Sequence, residues 1–101
     1  MSVIHLSQTA NALPQAWSSV TLAHLGHTNV KILRMDEQEY ADESHPYAEL
    51  LLVVDGQLNL LIHDQLTVVK TGEAYMVSAN TSHSVAHGSF GTLLIVDSVE
   101  P

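Results

Sequence analysis

Beyond Trp17 the chain is cut into short apolar runs by turn-forming residues, and no stretch carries a helical period. "VTLAHL" (20–25) and "VKILRM" (30–35) flank Gly26-His27-Thr28-Asn29, which predicts a hairpin. "LLLVV" (50–54) ends at Asp55-Gly56, a strong turn signal. "LNLLI" (58–62) and "LTVV" (66–69) flank a tight turn near His63-Asp64, and Thr71-Gly72 is a further break. "AYMV" (74–77), "HSVA" (83–86) and "LLIV" (93–96) complete a set of eight predicted strands. Evenly spaced short strands predict an all-β sandwich or barrel. The segment "MDEQEYADES" holds five of the eleven acids and reads as a solvated loop. The first seventeen residues fit either a short helical turn or an edge strand.

Leu50–Val54 does not alternate apolar with polar, so both of its faces need cover. Leu51 and Val53 share one face with Glu49, while Leu50, Leu52 and Val54 lie on the other, and Leu61 also points outward. A second sheet or a second subunit has to cover them. An isologous homodimer is therefore expected, with a largely apolar interface.

The bulk composition narrows the function. The 101 residues support one domain, with an arm over 1–17 and a barrel over 18–97. Three basic and eleven acidic residues give a formal net charge of −8. Such a surface repels nucleic acid and anionic membranes, and Lys31, Arg34 and Lys70 make no basic patch, so neither is an expected partner. There is no cysteine, which excludes a disulfide scaffold, a thiolate nucleophile and a zinc ribbon. The N-terminal residues lack the basic region and unbroken apolar run of a secretory signal, and the longest apolar run is too short to span a bilayer. A soluble, cytoplasmic protein is expected.

Two segments carry the chemistry. The first is Glu43-x-His45-x(3)-Glu49-x(6)-Gly56, and the second is Gly72-x(5)-Ser78-x-Asn80-x(2)-His83-x(3)-His87. Glu43, His45 and Glu49 have the same parity, so on one strand they would share a face. Together the segments resemble the two motifs of the cupin superfamily, H-x-H-x(3–4)-E-x(6)-G and G-x(5)-P-x-G-x(2)-H-x(3)-N, and this chain is similar to its small single-domain members. The resemblance implies a double-stranded β-helix, or jelly-roll, barrel, in many cases with one divalent metal inside. Carried over by position, His45, Glu49 and His83 match metal ligands. Glu43 stands where the first histidine belongs, and Ser78, Asn80 and His87 replace the usual proline, glycine and asparagine. Asn80 can supply the positive φ that glycine would have given. A set of Glu43, His45, Glu49 and His83 is harder and more anionic than a three-histidine set, which favours manganese, iron(II) or zinc over copper(I).

His87 shares the parity of His83 and Val85, so it is a candidate contact for a small-molecule ligand. Tyr40, Tyr47 and Tyr75 are further candidates through their phenols, with core packing as the simpler role for the Tyr75 ring. Trp17 is expected to pack the arm onto the barrel. Three functions remain consistent with the sequence. One is a metal-dependent dioxygenase, isomerase or lyase. The second is a module that binds a small molecule, with or without metal. The third is a metal-free dimeric protein whose metal site has decayed. Fold alone does not choose among them.

Overall fold

The structure, a computed structural model, describes residues 3–98. It is an antiparallel sheet of eight strands, curled around a core, with one short helix. The elements are α1 (Leu6–Asn11), β1 (Val20–Leu25), β2 (Thr28–Met35), β3 (Tyr40–Glu43), β4 (Glu49–Ile62), β5 (Gln65–Lys70), β6 (Ala74–Val77), β7 (His83–Val85) and β8 (Phe90–Ser98).

Strand β4 organises the rest. Along one edge it pairs first with β6 and then with β5; along the other it pairs first with β8 and then with β7. One strand thus serves both halves of the curl. The Asp55-Gly56 pair, predicted as a turn between two strands, instead sits within a continuous 14-residue strand. The register slips between Val53 and Asp55, and Gly56 has φ +93°. A bulge with a left-handed glycine uses the same local chemistry as a turn, but it bends the strand rather than ending it. Gly56 lies opposite Gly91 of β8, which has φ +99°. A Cβ on Gly91 would stand 2.2 Å from the carbonyl oxygen of Asp55, and one on Gly56 would stand 2.1 Å from that of Phe90. The two backbones cross too closely there for any side chain.

The turn at His63-Asp64 forms as expected. Both residues have positive φ (51° and 61°), as a two-residue hairpin loop requires. The acidic segment departs from expectation. Its second half forms β3, which pairs with β7 through Tyr40–Val85 and Glu43–His83. All four β3 residues are exposed, so no periodicity marks it, and the pairing partner alone makes it a strand.

The inner face follows strand alternation. Leu33, Met35, Leu51, Val53, Leu58, Leu60, Val69, Val77 and Leu93 form the buried core. The first seventeen residues contain the helical turn, α1, which packs on β2, β8 and β4. Ala10 and Ile32 are fully buried outside the main cluster. Polar contacts strap the arm down. Ser7 Oγ donates to Asp55 Oδ2, and the Arg34 guanidinium donates to the Leu13 carbonyl at 3.3 Å. The Trp17 amide donates to the Arg34 carbonyl at 2.8 Å, and its indole N–H donates to Asp36 at 2.8 Å. No helix among the described residues is long and apolar enough to cross a membrane.

Candidate metal centre

The curl encloses a cavity of about 200 Å³. One part of its wall is apolar, with Leu33, Leu51, Leu58, Leu60, Leu93 and Ile95. Another part gathers Glu43, His45, Glu49 and His83. These four come from separate pieces of backbone, and Glu43, His45 and Glu49 do not share one strand face as their parity suggests. Glu43 ends β3, His45 sits in the loop after it, Glu49 opens β4, and His83 opens β7.

Local chemistry brings them together. Glu43 and His83 are paired across β3 and β7. The turn before His83 passes through Asn80 at φ +60°, the conformation expected of a glycine there. The Asn80 amide donates to the His45 carbonyl at 2.6 Å, which ties that turn to the His45 loop. His45 also stacks on Tyr47, with ring centroids 5.0 Å apart and planes 7° from parallel. The rings of His45 and His83 stand 5.9 Å apart, nearly edge to face.

Three of the four donors converge, and Glu49 lies outside that group and meets it at His83. One ligand atom from each of Glu43, His45 and His83 lies within 4.8 Å of the others. His45 Nε2 is 3.7 Å from Glu43 Oε2, and His83 Nε2 is 3.1 Å from Glu49 Oε1. His83 and Glu49 are buried, whereas the Glu43 side chain is 46% exposed. His83 Nδ1 lies 2.9 Å from the Thr81 carbonyl oxygen. A carbonyl only accepts, so Nδ1 carries a proton and donates it. In the neutral ring Nε2 is then a bare lone pair facing a buried carboxylate oxygen. Two electron-rich atoms at that distance call for a positive charge between them. Two imidazoles and two carboxylates, one imidazole oriented by a backbone carbonyl, are a chemically suitable set for a divalent ion. The residues present fit a metal.

Beside this cluster lies a second polar group. Glu49 is the cross-strand neighbour of Asp97. Asp97 is buried; it accepts from Lys31 Nζ at 2.8 Å and from Asn29 at 3.2 Å. Burial works against the charged form of Lys31, but the hydrogen bond and charge of Asp97, with smaller help from Tyr47 and Glu49, raise its pKa above the ordinary lysine value. Burial, and then the negative charge of Asp97, raise that of Tyr47 in spite of Lys31, so its phenol stays protonated at neutral pH.

Tyr40 and Tyr47, two of the tyrosines expected to offer a phenol to a ligand, line the cavity. Lys31, Asp97 and Trp17 line it as well and escaped the sequence reading of the site. Strand parity was the available signal for two of them. Lys31 has the parity of Leu33 and Met35, and Asp97 that of Leu93 and Ile95. Trp17 does close the arm onto the sheet, yet it also reaches the cavity, 5.5 Å from the ring of Tyr40. His87 and Tyr75, the other expected ligand contacts, are not among the cavity-lining residues. His87 is exposed just beyond the end of β7, and its carbonyl accepts from Asn59. Tyr75 packs against the core.

Comparison with known proteins agrees with the architecture. A cupin-2 domain protein from Shewanella frigidimarina superposes with a TM-score of 0.85 at 22% identity, over 95% of this chain and 94% of that one. A protein from Neisseria meningitidis gives 0.81 at 17% identity, over 96% and 99% of the two chains. A conserved protein of unknown function from Streptococcus pyogenes gives 0.77 at 22% identity, over 99% and 90%. No curated protein matches the sequence. At these identities the structures establish a shared all-β, double-stranded β-helix fold and nothing about activity. Residues 32–98 match the Cupin_2 family model, described as a cupin domain. That match covers more than half of the sequence, and the chain belongs to the Cupin_2 family.

Proposed function

We propose that this cupin binds one divalent metal through Glu43, His45, Glu49 and His83 and uses it to bind or transform a small molecule in the adjoining cavity. The observation that carries this reading is the 3.1 Å approach of His83 Nε2 to Glu49 Oε1, in buried surroundings and with Nδ1 committed to Thr81. The donor set favours manganese, iron(II) or zinc. When bound, such an ion supplies Lewis acidity and an open coordination position for an oxygen of the ligand. The chain's own residues do the rest. Thr81 fixes the His83 tautomer, the Asn80 amide holds the His45 loop, and the leucines exclude water from the ligand's body.

A second, metal-free reading has its own support. A proton on His83 would bridge the same gap to Glu49, and the exposed Glu43 is the weakest part of the cluster. Chelator-treated protein titrated with Mn(II), Fe(II) and Zn(II) while the melting temperature is followed separates the two. Binding to the folded state raises the melting temperature by mass action. The metal reading expects saturable stabilisation by at least one of these ions, and the proton reading expects none.

A further inference from the structure

We propose that Lys31 and Tyr47 form the specificity wall of the cavity, and that the ligand it selects is a small monocarboxylate with an apolar body about the size of one ring. This rests on the reading of the cavity as a small-molecule site. It goes beyond that reading by naming the ligand class and the residues that select it.

The first observation is a pair of donors with hydrogen-bonding capacity left over. The Lys31 ammonium has three N–H groups, and among the described residues its only hydrogen bond goes to Asp97. The Tyr47 hydroxyl has no hydrogen-bond partner among the described residues. Both residues line the cavity, and each lies close enough to the other to affect its ionisation. Both side chains are half-buried, so an acceptor from a ligand would take the place of water there.

The second observation is the charge distribution. Glu43, Glu49 and Asp97 face the cavity, and Lys31 is the one lysine or arginine among its lining residues. An anionic ligand is repelled everywhere except beside Lys31 or beside a cation held by the His/Glu cluster. Glu49, the neighbour of Asp97, is also the partner of His83, so these two positions adjoin. A carboxylate has two oxygens and fits that juxtaposition: one reaches Lys31 and Tyr47, and the other reaches the cluster.

The third observation is size and texture. A dry cavity of about 150 Å³ holds a benzene molecule. At about 200 Å³, with leucine and isoleucine over much of its wall, this cavity takes a ring or branched chain of that size plus a carboxylate. Lys31 is the one lysine or arginine lining it, which matches a single carboxylate at that wall.

Trp17 lines the cavity and is the chain's single tryptophan, so its emission reports occupancy. The test titrates benzoate, benzyl alcohol and acetate at neutral pH, in protein loaded with Mn(II) and in chelator-treated protein. Calorimetry serves as a second readout, and metal content is measured on the same samples. Loaded protein should bind benzoate about tenfold more tightly than benzyl alcohol, the worth of one hydrogen bond to a charged group. Acetate, which lacks the apolar body, should bind more weakly than either. In chelator-treated protein, where no ion draws the carboxylate, Lys31→Met should bring benzoate down to the level of benzyl alcohol and leave benzyl alcohol unchanged. Lys31→Arg should retain the preference, and Tyr47→Phe should reduce it a few-fold. Should Lys31→Met fail to fold, the double variant Lys31→Met with Asp97→Asn removes the paired charges together and must show the same loss. Equal affinities for benzoate and benzyl alcohol in the parent, binding of neither ring compound, or a preference in chelator-treated protein that survives loss of Lys31 would each overturn the proposal. Bound metal without carboxylate preference defeats this inference alone. Carboxylate preference in protein that takes up no Mn(II) when it is supplied defeats only the metal reading.

Discussion

Gly56 and Gly91 face each other across β4 and β8, both with left-handed backbones, at the point where the long central strand bends. The bend lets one strand pair with β6 and β8 at its start and with β5 and β7 at its end. That places Glu49, at one end of β4, within reach of His83 in β7.

Replacing Gly91 by alanine should therefore destabilise the fold by at least about 2 kcal/mol, through backbone strain and collision with Asp55 together. Gly26→Ala is the control. Gly26 has φ +63° but nothing within 4 Å of a new Cβ, so only the strain, about 1–2 kcal/mol, applies. Urea denaturation of the two variants checks the order. Equal losses would show that the close crossing is not a packing constraint.

The ligand set is unequal. His83 is buried and held by Thr81, whereas Glu43 is exposed and free to move into solvent. His83→Ala should weaken metal binding on the order of a hundredfold or more, and Glu43→Ala by only about tenfold. Calorimetric titration with Mn(II) or Zn(II) measures both. Equal metal affinity in His83→Ala and the parent would remove His83 from the site.

Lys31 gives the fold an alkaline limit. Its pKa is higher in the folded chain than the ordinary 10.5, so the folded state holds the proton more tightly. The stabilisation from the Lys31–Asp97 pair is complete below that value and is lost as pH rises through the folded pKa above it. Thermal melts from about pH 8 to about pH 12 should show a steeper alkaline loss in the parent than in the double variant Lys31→Met with Asp97→Asn. Parallel curves would mean that the pair does not couple folding to that proton.

Much of this was legible in the chain, and the gaps have physical causes. Turn chemistry and apolar runs located most of the strands, because both are local. Asp55-Gly56 misled, because a left-handed glycine serves a bulge and a turn alike and only the partner strand decides. Strand β3 was hidden in an acidic run whose residues are all exposed. Parity picked Glu43, His45 and Glu49 together, yet they meet through a loop and a cross-strand pair rather than along one strand. Lys31 and Asp97 are charged residues in largely apolar strands, and the pairing makes the burial of Asp97 tolerable. No local pattern announces a partner 66 residues away.

Apolar surface remains uncovered among the described residues. Leu66 and Val68 of β5 and Met76 of β6 are exposed, and Leu50, Leu52, Val54 and Leu61 are only half-buried. We expect an isologous homodimer that covers part of this surface. Light scattering at micromolar concentration should give about twice the chain's 11.0 kDa. A mass of 11.0 kDa that salt does not change would contradict the dimer.

The central claim is that a metal ion holds the electron-rich atoms of His83 and Glu49 together. Elemental analysis of protein purified without chelator or nickel resin tests it most directly. The account predicts about one manganese, iron or zinc per chain, removed by chelator and restored on adding the ion back. Protein that is fully folded, carries less than about a tenth of an ion per chain and takes up none when the ions are supplied would contradict it.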